Sequence, residues 1–481
     1  MDMTFLTGRA PLAEGVQPRV FDSAATPADP EVVGHLARGV AAADLAAPPV
    51  VLPDFHHKSD MEMPSSIAVA TLDTIRPAFT SASVNCGMAL MALDMEAPSK
   101  QAIQRFYDAI RRRYPHPPHW RRELSTSDVL RSAAEGASFG VERYGLEAGA
   151  LERIEERGRL DLEPFGGVAR LRRELPRLSF YMSRFRFGTI GPSNHFVELQ
   201  VVDEVLDSAA AAVLGVATGQ LTLQYHAGGG MLTGQVGRLF ARRKKISKPL
   251  QLEMAVQRPM AHLASARSLA QLRERLSLYF RDGCPAIPLH GSEGSRVMLA
   301  NAAAMNYGFA FRAATYGTLS AQASQVLGAR DIRLVVDSPH NSIYQEQVDG
   351  QPAIVHRHNS CRAYPAAKMP PGTAFGTVGQ ALLVPGTHRT SSYLCVAGDG
   401  AERSLYSACH GAGTIIDQFV SRRVSRPSEK GHTTLRFRYT DEAPTVVPHF
   451  DDRGIDEAIR ILTGHDLVRP VARLRPLGVL H

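Results

Sequence analysis

Two hydrophobic periods interleave along this chain, and neither settles into a repeat. Helical spacing runs through Val32, Val33, Leu36 and Val40, and through Ile103, Phe106, Tyr107 and Ile110 behind a Ser99 N-cap. Period-two alternation runs over 196–202 and 220–226, where Thr222, Gln224 and His226 share the face opposite Leu221, Leu223 and Tyr225. Shorter β-rich runs fall at 48–52, 67–72, 88–93, 332–337, 393–396 and 434–439. Helices are expected over 29–45, over 126–158 as a pair broken near Gly145, over the alanine-rich 297–327, and over 455–462. A parallel sheet needs strand and helix to alternate regularly, and this order does not. The expectation is therefore α+β: one large domain over 29–481, behind a loose Gly-, Pro- and Ala-rich leader over 1–28.

With 44% hydrophobic and 21% charged residues, the 481-residue chain has the make-up of a soluble globular protein. No apolar run reaches membrane-span length and the N-terminus lacks the order of a secretory signal, so cytoplasm is the default compartment. Five cysteines without a C-x-x-C pair give no disulfide framework. The net charge of +7 suits a polyanionic partner, and its distribution says more. Basic residues cluster at Arg111-Arg112-Arg113 with Arg121-Arg122, from Arg170 to Arg186, at Arg242-Arg243-Lys244-Lys245, and at Arg422-Arg423 with Arg426. Several such clusters on one chain suit a nucleic-acid backbone, although each alone is also an ordinary solvated helix face.

Chemistry concentrates at Cys409-His410-Gly411-Ala412-Gly413, between an extended stretch (404–409) and a helical one (415–423). A histidine at such a corner, followed by two glycines, brings an imidazole and bare backbone N–H groups onto one phosphate. That imidazole can act as a nucleophile or as a general acid or base. Three further histidines lie among small polar residues: His195, His226 and His340. His226 belongs to a polar strand face, the wrong place for a core histidine. A thiol at Cys86 completes a donor set suited to Zn²⁺, Mn²⁺, Fe²⁺ or Co²⁺, and a thiolate can bridge two ions. Spacing alone leaves these side chains equally readable as separate, individually hydrogen-bonded groups.

In their order along the chain these segments become recognisable. Leu52-Pro53-Asp54-Phe55-His56 is similar to "MPDVH", Asn85-Cys86-Gly87-Met88 to the end of "DIGCGM", and 188–198 to "GTLGGGNHFIE". Tyr225-His226-Ala227-Gly228 resembles "LHSGSRG", His340-Asn341 resembles "HN", Pro385-Gly386-Thr387 resembles "PGSM", and 409–413 resembles "SHGAGR". The chain thus resembles the RtcB-type RNA ligases, the tRNA-splicing ligases that join an RNA 3′-phosphate or 2′,3′-cyclic phosphate to a 5′-hydroxyl. The resemblance implies the family's own fold, Mn²⁺ as metal, GTP as cosubstrate, and RNA with 3′-phosphate and 5′-hydroxyl ends as partner. It implies that His410 takes GMP from GTP and passes it to the RNA end. Cys86, His195 and His226 would hold one metal, and Cys86 and His340 would share a second. Asn194 and Glu198 would contact the nucleotide, as would Pro385, Gly386, Thr387, Gly411, Ala412, Gly413 and the terminal His481.

Departures from the family pattern gather on the second metal and the nucleotide. The metal-binding aspartate three residues before the cysteine is Ser83, which offers no negative charge; Asp54 is a candidate substitute carboxylate if its loop shifts. The arginine after the glycine-rich run is Thr414, the C-terminal lysine is His481, "PGSM" ends in His388, and the glycines of "DVHPGKG" have become His57-Lys58-Ser59. A diverged ligase is the leading expectation. A metal-dependent phosphoesterase, with His410 protonating a leaving group, and a non-catalytic RNA-end-binding protein are the alternatives.

Overall fold

The computed structural model describes residues 17–57, 61–116, 121–191, 195–244, 246–281 and 285–481. Its centre is a sheet of seven strands, each antiparallel to its neighbours. Their order is Ala381–Val384, Ser392–Ala397, Val468–Leu480, Phe196–Val205, Leu221–Ala227, Gly87–Leu93 and Ile332–Pro339. A hairpin of Thr433–Phe437 and Thr445–Pro448 joins it beside the strand Val468–Leu480. A second sheet runs Arg19–Val20, Val50–His56, Ser65–Thr71, Gln351–His358, Asn341–Val348. The mixed α+β architecture expected from the interleaved periods is what the chain forms.

Both faces of the central sheet are covered. Against one lies the alanine-rich helix Ser292–Gln322, which carries Ala303, Tyr307 and Ala310 onto Ala89, Met91, Leu223 and Tyr225 in one core. The helices Ser208–Leu214 and Ala374–Val378 cover the other, over Met88, Leu90, Val336 and Leu394. Small side chains let a helix backbone approach a sheet closely, so the alanines serve packing as well as helix propensity. This double cover corrects the expectation for His226. Its face is polar, carrying Thr222 and Gln224, yet all three side chains are buried. A buried polar face must be satisfied internally, and that requirement marks a site.

Two further expectations change, and one strand was not expected. The segment 126–158 breaks earlier than Gly145: the helices Thr126–Glu135 and Ala137–Tyr144 meet at Gly136, and 3-10 turns follow over Ala148–Arg153 and Glu155–Gly158. Gly136 has φ +61°, and a Cβ there would lie 1.9 Å from the Gly158 carbonyl oxygen, so only glycine fits the corner. The loose leader is shorter at its described end, because Arg19–Val20 pairs in parallel with Val50-Val51; residues 1–16 lie outside the described ones. Finally, Val468–Leu480 is an interior strand of the central sheet despite Pro470 and Pro476. Register shifts at 473/474 and 476/478 absorb the irregularity that proline brings to a ladder.

Candidate functional site

Strand register brings the scattered donors together. Met88 lies opposite His226 on one side and Ser338 on the other, and His226 also faces Phe196. One step along, Gly87 lies between Ala227 and Pro339. Cys86, His195 and His340 each sit immediately beyond this end of the sheet. His340 is the single residue between Ile332–Pro339 in the central sheet and Asn341–Val348 in the second, so the site occupies the seam between sheets. Gly87 is required there, since a Cβ would come within 2.7 Å of the Ser338 carbonyl oxygen and 2.9 Å of the Arg312 guanidinium carbon.

The Cys86 sulfur is the hub. His226 Nε2 stands 3.2 Å from it and His195 Nε2 3.6 Å. Ligand atoms of Cys86, His226 and His340 lie within 4.8 Å of one another. The His340 amide donates to the Cys86 carbonyl at 2.9 Å, which fixes the two chain segments relative to each other. His340 Nδ1 is buried without a hydrogen-bond partner, a costly state for a polar atom and one that an ion relieves. Burial holds His195 down at about 4 and, helped by the charges of His410 and His226, holds His340 well below the imidazole range. Both rings are therefore neutral at neutral pH, with lone pairs free to ligate. Burial pushes the Cys86 thiol up to about 11, so a proton must leave when a metal binds. A soft sulfur and neutral imidazoles, tightly grouped and under-satisfied, fit a transition metal. The Ser83 hydroxyl bonds to the Cys86 thiol, so position 83 lies beside the sulfur.

His410 joins this cluster from the strand Ser407–Cys409, which pairs with Ser360–Arg362. The Ser360 amide donates to the His340 carbonyl at 3.0 Å, and the His340 and His410 rings lie 4.6 Å apart. The bare N–H groups expected after His410 are largely committed elsewhere. Gly411 donates to the Cys409 sulfur, Ala412 to the Pro385 carbonyl at 3.2 Å, and Thr414 to the Asp54 carboxylate at 2.6 Å. Asp54 thus caps the helix Gly413–Ser421, with the Thr414 hydroxyl 3.2 Å from His56 Nδ1. A helix N-terminus favours a negative charge, while burial works the other way and raises the Asp54 carboxyl above its usual range. Gly413 keeps open space around its Cα, leaving room for close approach there.

The nucleotide-contact residues expected from the resemblance fall into two groups. Pro385-Gly386-Thr387 abuts the His410 loop through the Pro385 carbonyl, and the Thr387 amide donates to the Thr390 hydroxyl at 2.9 Å. Glu198 lies opposite Val479, two residues before His481 on the neighbouring strand. Burial raises Glu198 to about 8, although Gln200 donates to it at 2.6 Å. His481 receives a hydrogen bond from Arg436 Nε at 2.8 Å and lies 5.8 Å, ring to ring, from His388. Asn194 lies outside the described residues.

Sequence reasoning missed two contributors. Arg312, fully buried in the long helix, pairs with Asp337 at 2.7 Å and holds Asn85 through its carbonyl and through its side-chain oxygen at 2.9 Å. An arginine inside an alanine-rich buried helix was the available signal, since a buried guanidinium needs partners. His358 feels the charges of Arg243 and His410, and burial first of all holds it down at about 3. Its signal was a second His-Asn pair, His358-Asn359, which the register sets against His340-Asn341: Asn341 lies opposite His358.

Comparison with known proteins gives the family. A family model described as tRNA-splicing ligase RtcB matches residues 37–481. The chain is similar to the protein named tRNA-splicing ligase RtcB from Thermococcus kodakarensis, with 26% identity over 457 residues, covering 89% of this chain and 86% of that protein. It is 28% identical over 453 residues to the RNA-splicing ligase RtcB of Mycobacterium tuberculosis, covering 89% of this chain and 95% of that one. Against the Pyrococcus furiosus protein named tRNA-splicing ligase RtcB the identity is 27%, and the match spans 82% of this chain but 39% of that longer relative. With residues 37–481 matched, a span that holds every segment of the site, this chain belongs to the RtcB family.

Proposed function

We propose that the chain is an RNA ligase that joins 3′-phosphate or 2′,3′-cyclic phosphate ends to 5′-hydroxyl ends through a nucleotide carried on His410. The observation that carries this is the His410 ring, 4.6 Å from a His340 that shares its cluster with Cys86 and His226. The relatives' names supply the reaction class. Cys86, His195 and His226 would hold one Mn²⁺, and Cys86 with His340 a second; ions held there would supply positive charge to phosphate oxygens. An imidazole nitrogen of His410 attacks the α-phosphorus of GTP; a P–N bond forms, the P–O bond to the β-phosphate breaks, and pyrophosphate leaves. An oxygen of the RNA 3′-phosphate, formed from a cyclic end when water adds to phosphorus and the P–O2′ bond breaks, then displaces His410, which recovers its lone pair, and the nucleotide is left on the RNA end. The 5′-hydroxyl attacks the activated 3′-phosphorus, loses its proton, and expels GMP. Glu198 and His481 face the base, and Pro385-Gly386-Thr387 positions its phosphates beside the His410 loop. The attacking nitrogen must be unprotonated, because its lone pair is the nucleophile.

Incubation with radiolabelled GTP or ATP and Mn²⁺, followed by denaturing electrophoresis, tests the proposal. The expected adduct is labile in acid, stable in base, and absent from His410→Ala, whose folding is unchanged because one partly buried imidazole at a corner contributes little to stability. Retention of the adduct in that variant would place the nucleophile elsewhere. Asp54 at the helix N-terminus and the Thr414 and His481 replacements favour, as the second reading, a protein that grips 3′-phosphorylated RNA without turnover. Tight RNA binding with no labelling under any metal would select it, and phosphate release without labelling would select a phosphoesterase.

A further inference from the structure

The run Arg242-Arg243-Lys244 has no task in the ligation chemistry, yet it walls a cavity of about 370 Å³. The helix Lys248–His262 forms the opposite wall, presenting Met254 and Arg258, and Ile246 and Phe280 close the sides. The four cations are not equivalent. Arg243 is consumed internally: its side chain pairs with Glu62 at 3.3 Å and donates to the carbonyls of Gly237, Thr80 and Pro77. Arg258 donates through Nη2 to the Arg238 and Ala241 carbonyls, while its Nε is buried without a partner. Among the described residues neither Arg258 nor Lys244 forms an ion pair with a carboxylate. Burial, then Arg242 and Arg243, pull the Arg258 guanidinium down to about 10, as expected where like charges gather uncompensated. Such a cavity, basic on two walls and apolar on others, matches the volume of a small polar ligand that carries negative charge.

We propose that this cavity is a second RNA contact, separate from the reacting ends, in which Arg258 and Lys244 hold one backbone phosphate and the adjoining base packs on Phe280 and Met254. The proposal rests on the ligase reading for its choice of RNA. Placement favours RNA over an acidic protein: Arg243 of the cavity wall and His410 of the reacting centre both act electrostatically on the one ring of His358, so the cavity lies on the side of the molecule that holds the reacting centre. On this proposal, a strand with its 3′-phosphate at His410 runs to the cavity through its upstream nucleotides. The exposed apolar residues of the same helix, Leu252, Val256 and Met260, follow one another at intervals of four and lie on a different face from Met254 and Arg258.

Binding is measured by fluorescence anisotropy with the full-length protein, using a long 3′-phosphorylated RNA and a 3′-phosphorylated dinucleotide over a range of salt, with inorganic phosphate as competitor. Arg258→Gln is expected to weaken the long RNA on the order of 5- to 10-fold and to lower the salt slope by about 1. Dinucleotide affinity and nucleotide labelling of His410 stay unchanged, and Arg258→Lys restores most of the loss. Unchanged long-RNA affinity overturns the proposal, whether or not inorganic phosphate or an acidic peptide binds the cavity. Equal loss for the dinucleotide overturns it too, by assigning Arg258 to the end-binding site. A protein that takes up no GMP yet loses long-RNA affinity in Arg258→Gln sinks the ligase reading and keeps the cavity; one that binds no RNA sinks both.

Discussion

One sulfur organises the chemistry. The Cys86 thiol lies within 3.2–3.6 Å of two imidazole nitrogens, and its own carbonyl anchors the residue that brings a third. The hydroxyl of Ser83 already bonds to it, so a carboxylate at that position would add an anionic oxygen at the cluster. Ser83→Asp is expected to tighten a second Mn²⁺ equivalent on the order of tenfold by titration calorimetry, because ligand charge tunes affinity. Unaltered binding would show that position 83 does not face an ion. Glu198 offers a separate prediction. Its carboxyl is raised from 4.5 to about 8, so between those values the folded protein holds a proton that the unfolded chain releases. Stability therefore falls as pH rises through that window, and the cost is complete above the folded value. Glu198→Gln should raise stability by on the order of 4 kcal/mol at about pH 9 and by almost nothing at about pH 4. Thermal melts at the two pH values decide it, and an equal gain at both would mean that Glu198 does not titrate as its burial requires.

Among the elements, the helix Ser292–Gln322 does most to shape the site, although it contributes no ligand. Its Arg312 lies against the Asn85-Cys86 turn on one side and Asp337 on the other, all buried. Removing one partner of a buried pair leaves the other charge stranded, which costs about 3–5 kcal/mol. Arg312→Ala should lose that much in urea unfolding, whereas Arg312→Met combined with Asp337→Leu should recover most of it. Metal affinity should remain impaired in the double variant, since Asn85 has still lost its guanidinium. Full metal binding there would mean that the turn holds its shape without Arg312.

For the whole molecule, the decisive feature is that the strand Val468–Leu480 lies in the middle of the sheet. Val468–Leu480 pairs with Phe196–Val205 on one side and Ser392–Ala397 on the other, and it buries Val471, Leu474 and Leu480. Removing residues 468–481 should abolish cooperative unfolding, seen as the loss of a thermal transition in circular dichroism, because an interior strand leaves two unpaired edges and an open core. A truncated chain that still melts sharply would show that the two halves of the sheet hold together without it.

Local chemistry was legible without the fold. The Ser99 cap, the strand alternations at 196–202 and 220–226, the buried alanine-rich helix, and the glycine-framed His410 corner all follow from neighbours a few residues apart. Cys86, His195, His226, His340 and His410 were identifiable as candidates, because small polar surroundings are visible in sequence. That they meet was implied only by the resemblance to the RtcB-type ligases and by nothing in their spacing. Their meeting depends on the register that sets Met88 between His226 and Ser338, and on His340 falling at the seam of two sheets. Register is fixed by which faces become buried, and covering both faces of the sheet takes helices from 208, 292 and 374 onward. The Asp54 cap of a helix 360 residues away, the Arg312–Asp337 pair and the interior course of a proline-bearing last strand are likewise long-range outcomes. The sequence by itself determined the donor atoms and the local elements; tertiary structure alone decided their convergence, because only packing brings together groups that the chain keeps hundreds of residues apart.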